Sequence, residues 1–173
     1  MQAIGFETSL PITDAQSLLA FEAPVPSIAA HEVLVKIEAI AVNPVDIKIR
    51  NVGAPPAGEK RILGWDAAGV VAEVGSAVSG FQIGDEVYYA GVVNRAGCNA
   101  EYQTVDARII AKKPQSLDFA QAAALPLTSL TAYEGLFDRL QVNERSNMHN
   151  RVLLVIGGSG GVGSQIIQVA KQL

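Results

Sequence analysis

The sequence holds one cysteine, few charged residues and no long apolar run, and each shortage excludes something. A lone thiol, Cys98, can form no internal disulfide and cannot supply a multi-thiolate zinc knuckle, so the chain reads as a reduced, intracellular protein. Charged residues make up 17% of 173 positions, against about 25% in ordinary soluble domains. The formal net charge is −4 and no basic block is present, which argues against a nucleic-acid partner. No apolar stretch approaches the ~18 residues of a membrane span. The first residues, Met1-Gln-Ala-Ile-Gly-Phe-Glu, lack the basic and apolar regions of a signal peptide. With 49% hydrophobic residues the chain is too apolar to be disordered. The expectation is a cytoplasmic globular protein, with one large domain or one domain and part of a second.

What the chain does have, over residues 1–115, is short β-type runs separated by Gly and Pro. Candidate strands are Gln2–Phe6, Leu18–Glu22, Val33–Val42, Gly69–Val74, Glu86–Tyr89 and Tyr102–Val105. Many short strands with glycine-rich turns predict a compact β-barrel or sandwich-like domain. Tyr88 and Tyr89 lie on one strand and should point to opposite faces, with one in the core. The pattern changes near Pro114. Asp118 can cap a helix from Phe119, with Gln121 completing a capping box. Pro126 opens a second helix whose apolar face is expected at Leu130, Tyr133, Phe137 and Leu140. A polar connector, Asn143–Asn150, leads to Val152-Leu-Leu-Val-Ile, five apolar residues that read as a strand buried on both faces.

After that run comes Gly157-Gly-Ser-Gly-Gly-Val-Gly-Ser164, which contains GxGxxG at Gly158, Gly160 and Gly163. The helix behind it carries Val162, Ile166, Val169, Ala170 and Leu173 on one face. Between a buried strand and an amphipathic helix, such a turn lets a pyrophosphate approach the helix N-terminal N–H groups. Gly157, Gly158, Ser159, Gly160, Gly161, Val162 and Gly163 are therefore the candidate cofactor-binding residues. The alternative is a structural turn that packs a helix on a sheet. A Rossmann unit needs further strands, so the chain is expected to be the N-terminal part of a longer enzyme, cut inside its cofactor domain. By itself it should bind a dinucleotide weakly and lack activity.

Several motifs resemble those of the medium-chain dehydrogenase/reductase superfamily. Gly64-Trp-Asp-Ala-Ala-Gly-Val-Val-Ala-Glu-Val-Gly75 is similar to its Gly-His-Glu-x-x-Gly-x-Val-x-x-x-Gly segment, and Phe81-Gln-Ile-Gly-Asp-Glu-Val to its Phe-x-x-Gly-Asp-x-Val turn. Ala123-Ala-Leu-Pro-Leu-Thr-Ser-Leu-Thr-Ala-Tyr133 and Val42-Asn-Pro-Val-Asp-Ile-Lys-Ile-Arg50 resemble the quinone oxidoreductase branch, in particular its zinc-type alcohol dehydrogenase-like members. The resemblance implies a β-rich GroES-like barrel domain (α+β) over residues 1–125, a helical bridge and connector over 126–150, and the start of a truncated α/β Rossmann domain over 151–173. It further implies NADPH as cofactor, with NADH possible, a quinone or activated enone as substrate, and a homodimer or homo-oligomer.

The sequence departs from the zinc alcohol dehydrogenases. Where two Cys and one His would hold catalytic zinc stand Asn43, Trp65 and, by a looser alignment, Leu127. None offers thiolate or imidazole, so no metal site is expected. His31 and His149 have no partner at ligand spacing and read as exposed loop residues. Without a Lewis acid, hydrogen bonds must polarise the acceptor, a task that suits a conjugated acceptor better than a simple ketone. The candidate catalytic residues are Asn43, Asp46, Trp65 and Thr128. Asn43 can donate to a substrate oxygen or the nicotinamide carboxamide, or simply form an Asx turn before Pro44. Asp46 can anchor that turn or order a pocket donor. Trp65 can wall a pocket and offer its indole N–H, or be plain core. By resemblance Thr131, three residues after Thr128 on one helix face, contacts the nicotinamide. Cys98 has no adjacent His or Lys and is not read as a nucleophile. Two other readings remain at this point: a zinc-dependent alcohol dehydrogenase, and a non-catalytic NADPH-binding protein with a structural or RNA-associated role.

Overall fold

The computed structural model describes residues 1–142 and 152–173. His149 and the connector over 143–150 lie outside the described residues. The chain divides into two compact units, Met1–Ala124 and Leu125–Leu173.

The first unit is built from eight strands and two helices. They are β1 (Gln2–Phe6), β2 (Leu19–Glu22), β3 (Glu32–Ala41), α1 (Pro44–Val52), β4 (Arg61–Ile62), β5 (Asp66–Val74), β6 (Glu86–Ala90), β7 (Tyr102–Asp106), β8 (Ala111–Lys112) and α2 (Phe119–Ala123). All pairings are antiparallel, in one three-stranded sheet of order β2-β1-β4 and one five-stranded sheet of order β7-β3-β5-β6-β8. Ile4 N–H donates to Asn99 O at 2.7 Å, and Ile37 N–H to Glu101 O at 2.9 Å, so the segment before β7 stitches the two sheets together. The six strands expected from the sequence are all present, Gln2–Phe6 with both ends unchanged and the others with no end shifted by more than three residues. Helix α1, β4 and β8 were not foreseen: Asn43-Pro44 reads locally as a turn, and two-residue strands carry no period.

Strand alternation distributes the core. Val33, Val35, Ala67, Val71, Val87, Tyr89 and Val105 bury one face of the larger sheet, together with Cys98. The opposite face sets Ala68 against Ala122 and Ala123 of α2, with Tyr88 packed beside them. Tyr88 and Tyr89 thus point apart as alternation requires, and the Tyr89 hydroxyl donates to Gln103 Oε1 at 2.8 Å. A third cluster joins Phe6, Leu63 and Trp65 to Val45 and Ile49 of α1. Asp118 caps α2 as expected, its Oδ1 accepting from Gln121 N–H at 2.7 Å while Gln121 Oε1 accepts from Asp118 N–H at 3.2 Å.

The second unit holds α3 (Pro126–Tyr133), which runs on as π-helical turns over Glu134–Arg139, and α4 (Gly161–Ala170). Two expectations fail here. The run Val152-Leu-Leu-Val-Ile is not a strand, and Val152, Leu154 and Ile156 are 95%, 82% and 89% exposed. A strand is stable only beside partner strands, and the described residues offer this run none. Of the face expected at Leu130, Tyr133, Phe137 and Leu140 only Phe137 is half-buried and the other three are exposed, while Ala132 and Leu136 are buried. Helix α3 packs on α4. A Cβ added to Gly161 would lie 2.9 Å from Thr128 Cγ2, so the contact admits only small groups and turns the large ones outward.

Sheet closure in the first unit depends on Gly69 of β5. A Cβ there would stand 2.1 Å from the Lys36 carbonyl oxygen of β3 and 2.8 Å from Val35 Cγ1. Because β3 is paired on both edges, it cannot recede. Gly69→Ala is expected to destabilise the chain by about 1–3 kcal/mol, read as a lowered midpoint in chemical denaturation. An unchanged midpoint would mean that β3 and β5 separate freely.

Candidate functional site

Two groups of candidate residues emerge, one in each unit. The first lies where the chain leaves β3. The register pairs Ala41 with Asp66, so Asn43, two residues beyond β3, comes level with the start of β5. Asn43 precedes α1, and its extended backbone (φ −127°, ψ 162°) is that of an N-cap residue. Its N–H donates to Asp46 Oδ2 at 2.7 Å, and its carbonyl accepts the Asp46 N–H at 3.0 Å. Its side-chain Nδ2 donates to Asp66 Oδ2 at 2.8 Å. Asp46 is 6% and Asp66 0% exposed, whereas Asn43 is half-buried. The other Asp46 oxygen, Oδ1, is buried without a hydrogen-bond partner. An unsatisfied buried oxygen costs about 1–3 kcal/mol, so stability alone gives no account of it.

Trp65, directly before Asp66, is fully buried, and its indole N–H donates to Val92 O at 3.0 Å. The group that the sequence offered to a ligand is thus already engaged in holding the loop after β6. Cys98 is buried too, with Sγ 3.3 Å from the Asp66 carbonyl oxygen. Burial first, and then the charges of Asp46 and Asp66, push its thiol up to about 12. His31 is exposed.

The second group lies in the second unit. The turn over 156–159 has Gly157 at φ +72°, and Gly160 N–H donates to Gly157 O at 2.9 Å before α4 begins. A Cβ on Gly163 would meet Gly157 O at 2.3 Å and Gly158 Cα at 2.8 Å, so the first turn of α4 rests directly on the glycine loop. No side chain caps α4, and Ser159, Gly160 and Gly161 are exposed. That leaves helix N-terminal N–H groups and the positive end of the helix dipole open to an anion. On α3, the Thr128 hydroxyl donates to Leu125 O at 3.0 Å and the Thr131 hydroxyl to Leu127 O at 2.8 Å. The Thr131 hydroxyl oxygen retains acceptor capacity, which matches the N–H of a carboxamide. Thr131 is exposed and Thr128 half-buried.

Zinc does not fit the residues at the expected ligand positions. Asn43 Nδ2 and Trp65 Nε1 present N–H groups already donated to oxygen, and the Leu127 side chain is hydrocarbon. Among the described residues no three His, Cys, Asp or Glu side chains gather as a metal would need. No helix among them is long and apolar enough to cross a membrane. In the sequence Asp66 stands as a single carboxylate. Its only local signal is its place after Trp65, and its partner lies 23 positions away.

Residues 29–115 match the alcohol dehydrogenase GroES-like domain family. A zinc-type alcohol dehydrogenase-like protein of Staphylococcus epidermidis is 45% identical over 172 residues, covering 99% of this chain and 51% of the relative. A 2-methylene-furan-3-one reductase of Solanum lycopersicum is 44% identical over 160 residues, covering 86% and 39%. The crystal structure of Escherichia coli quinone oxidoreductase complexed with NADPH superimposes with a TM-score of 0.75 at 30% identity, covering all of this chain and 50% of that one. The chain therefore spans about half the length of the relatives it matches.

The position of Cys98 sets a pH test. An ordinary thiol ionises near 8.5, whereas this one keeps its proton to about 12. Between those values the unfolded chain loses a proton that the folded chain retains, so stability falls as pH rises through that window. Iodoacetamide at pH 8 is expected to leave the folded chain unmodified and to alkylate Cys98 only in denaturant, read by mass spectrometry. Rapid labelling of the folded chain would show that the thiol is accessible and ionised.

Proposed function

This chain belongs to the medium-chain dehydrogenase/reductase superfamily and matches the N-terminal half of its members, and on that footing we propose that the whole protein is an NADPH-dependent, zinc-independent reductase transferring hydride to quinones or activated enones. The observation that carries the reading is the uncapped glycine turn at the start of α4, where a side chain added at Gly163 would strike the loop backbone. Residues 151–173 are read as the first βα unit of a Rossmann domain, the run over 152–156 becoming a strand only beside the partner strands of the whole protein, residues 126–150 as a helical bridge and connector, and residues 1–125 as the substrate domain. Both the tomato and the Escherichia coli relatives support a reductase of conjugated carbonyl acceptors, and the latter supports NADPH.

When bound, the nicotinamide cofactor supplies the hydride. Everything else falls to side chains and backbone. The N–H groups of Gly161, Val162 and Gly163 would neutralise pyrophosphate charge, while Gly157, Gly158, Ser159 and Gly160, whose own N–H closes the turn onto Gly157 O, would let it come close. Thr131 accepts from the nicotinamide carboxamide, and Thr128 holds the helix beside the glycine turn. In the first unit, Asn43 donates toward the acceptor's oxygen. Asp46 holds the Asn43 backbone, and Trp65, buried in the core, fixes the loop after β6. Charge arriving on a conjugated acceptor spreads over its π system, so oriented amide donors can replace a metal.

The test is NADPH oxidation by the whole protein with a quinone or an enone as acceptor, before and after exhaustive chelation. Turnover with either acceptor, unchanged by chelation and without zinc in elemental analysis, is expected. One zinc per chain whose removal abolishes turnover would overturn the zinc-independent reading, and NADPH binding without oxidation would favour a non-catalytic role. Gly163→Val should weaken NADPH binding at least 10-fold, because its side chain drives α4 off the glycine loop. Unaltered binding would remove the turn from the cofactor site.

A further inference from the structure

We propose that Asp66 is a positioning residue that sets which polar edge Asn43 turns to the reactants. The proposal rests on the reading of Asn43 as a group that orients them. Asn43 Nδ2 and Asp66 Oδ2 stand 2.8 Å apart. A carboxylate only accepts hydrogen bonds, so the amide must meet it nitrogen first, and the chemistry of the partner settles the orientation of the carboxamide. One N–H is then committed to Asp66 and the carbonyl oxygen Oδ1 faces the Asp46 backbone N–H in the capping box of α1, which leaves the second N–H for the reactants.

Two features make this a grip rather than a passing contact. Asp66 is fully buried at the start of β5, where its backbone is paired with Ala41 on one side and Ala90 on the other. The Asn43 backbone is held independently, by Asp46 Oδ2 at 2.7 Å. With main chain and side chain fixed by two different carboxylates, the Asn43 amide has one orientation. An oriented donor contributes far more than a rotating one, because a misplaced group can cost on the order of 100-fold in rate. Removal of the Asp66 grip should thus act on turnover and leave the glycine turn of the other unit unaffected.

The test uses the whole protein with Asp66→Asn, Asn43→Ala, and the exchanged pair Asn43→Asp with Asp66→Asn. The exchanged pair keeps an amide-to-carboxylate hydrogen bond at the same place but reverses which residue carries the amide. Asp66→Asn and Asn43→Ala are each expected to lower kcat roughly 10- to 100-fold, with the Kd for NADPH changed by less than about threefold, since the pyrophosphate contacts are intact. The exchanged pair should recover the melting temperature and not kcat. Recovery of both would show that only the bond matters, and would overturn the proposal. Wild-type kcat in Asp66→Asn beside a damaged Asn43→Ala would overturn the positioning role alone, and wild-type kcat in Asn43→Ala would overturn the reading of Asn43 beneath it. If Asp66→Asn does not fold, Asp66→Glu keeps the acceptor but displaces it, and the same split between kcat and Kd applies. The side-chain amide resonances of Asn43 report the grip directly, and should shift in Asp66→Asn.

Discussion

The pairing of β3 with β5 is the constraint on which the first unit depends. These strands form the centre of the five-stranded sheet, and their approach is so close at Gly69 that no side chain fits between it and the Lys36 carbonyl. Register shifts near Leu34 and Ile37 carry the pairing through to Ala41 opposite Asp66. Bulges of this kind bend and twist a strand, and here they determine where β3 ends. Pro44 then opens α1 with no N–H to satisfy, so the chain turns from strand to helix within two residues. A one-residue slip would send Asp66 to the wrong face and leave Asn43 without its partner.

Around that strand end the unit gathers polar groups that a core chosen for stability alone would avoid. Asp46, Asp66 and Cys98 are buried together, and the carboxylates raise the thiol that burial has already raised. In a metal-dependent relative of this architecture, one would look for sulfur and imidazole lone pairs aimed at a common point. Here the available groups are N–H donors with named oxygen partners, which orient one another. Such an arrangement suits recognition through hydrogen bonds, whose strength depends on donors being fixed before the ligand arrives.

The second unit follows a different logic. Its helices meet through small groups, with Gly161 beside Thr128, and Gly163 rests on Gly157 of the glycine loop. Close backbone approach leaves the amide groups at the head of α4 uncovered, and the same smallness leaves Leu130, Tyr133 and Leu140 facing outward. The apolar run over 152–156 shares this character: it has the composition of a buried strand and, among the described residues, no sheet to enter.

What could be read from the sequence was whatever rests on neighbours a few positions apart. The Asp118–Gln121 capping box, the alternation of Tyr88 and Tyr89, the glycine turn before α4 and the lack of zinc-binding atoms at Asn43 and Trp65 all follow from local spacing and side-chain chemistry. Helix α1 escaped, because Asn43-Pro44 satisfies a turn as well as a helix start and the difference lies in Asp46 accepting the Asn43 N–H. The apolar run at 152–156 misled for the opposite reason, since its residue types favour a strand while strand stability resides in partners outside the run. The buried face of α3 was decided by α4, and the grip of Asp66 on Asn43 by the β3–β5 register across 23 positions. Local hydrogen bonds are encoded within a turn of chain. Contacts between distant residues exist only after β-pairing and packing have brought those segments together, and there the tertiary structure alone decides.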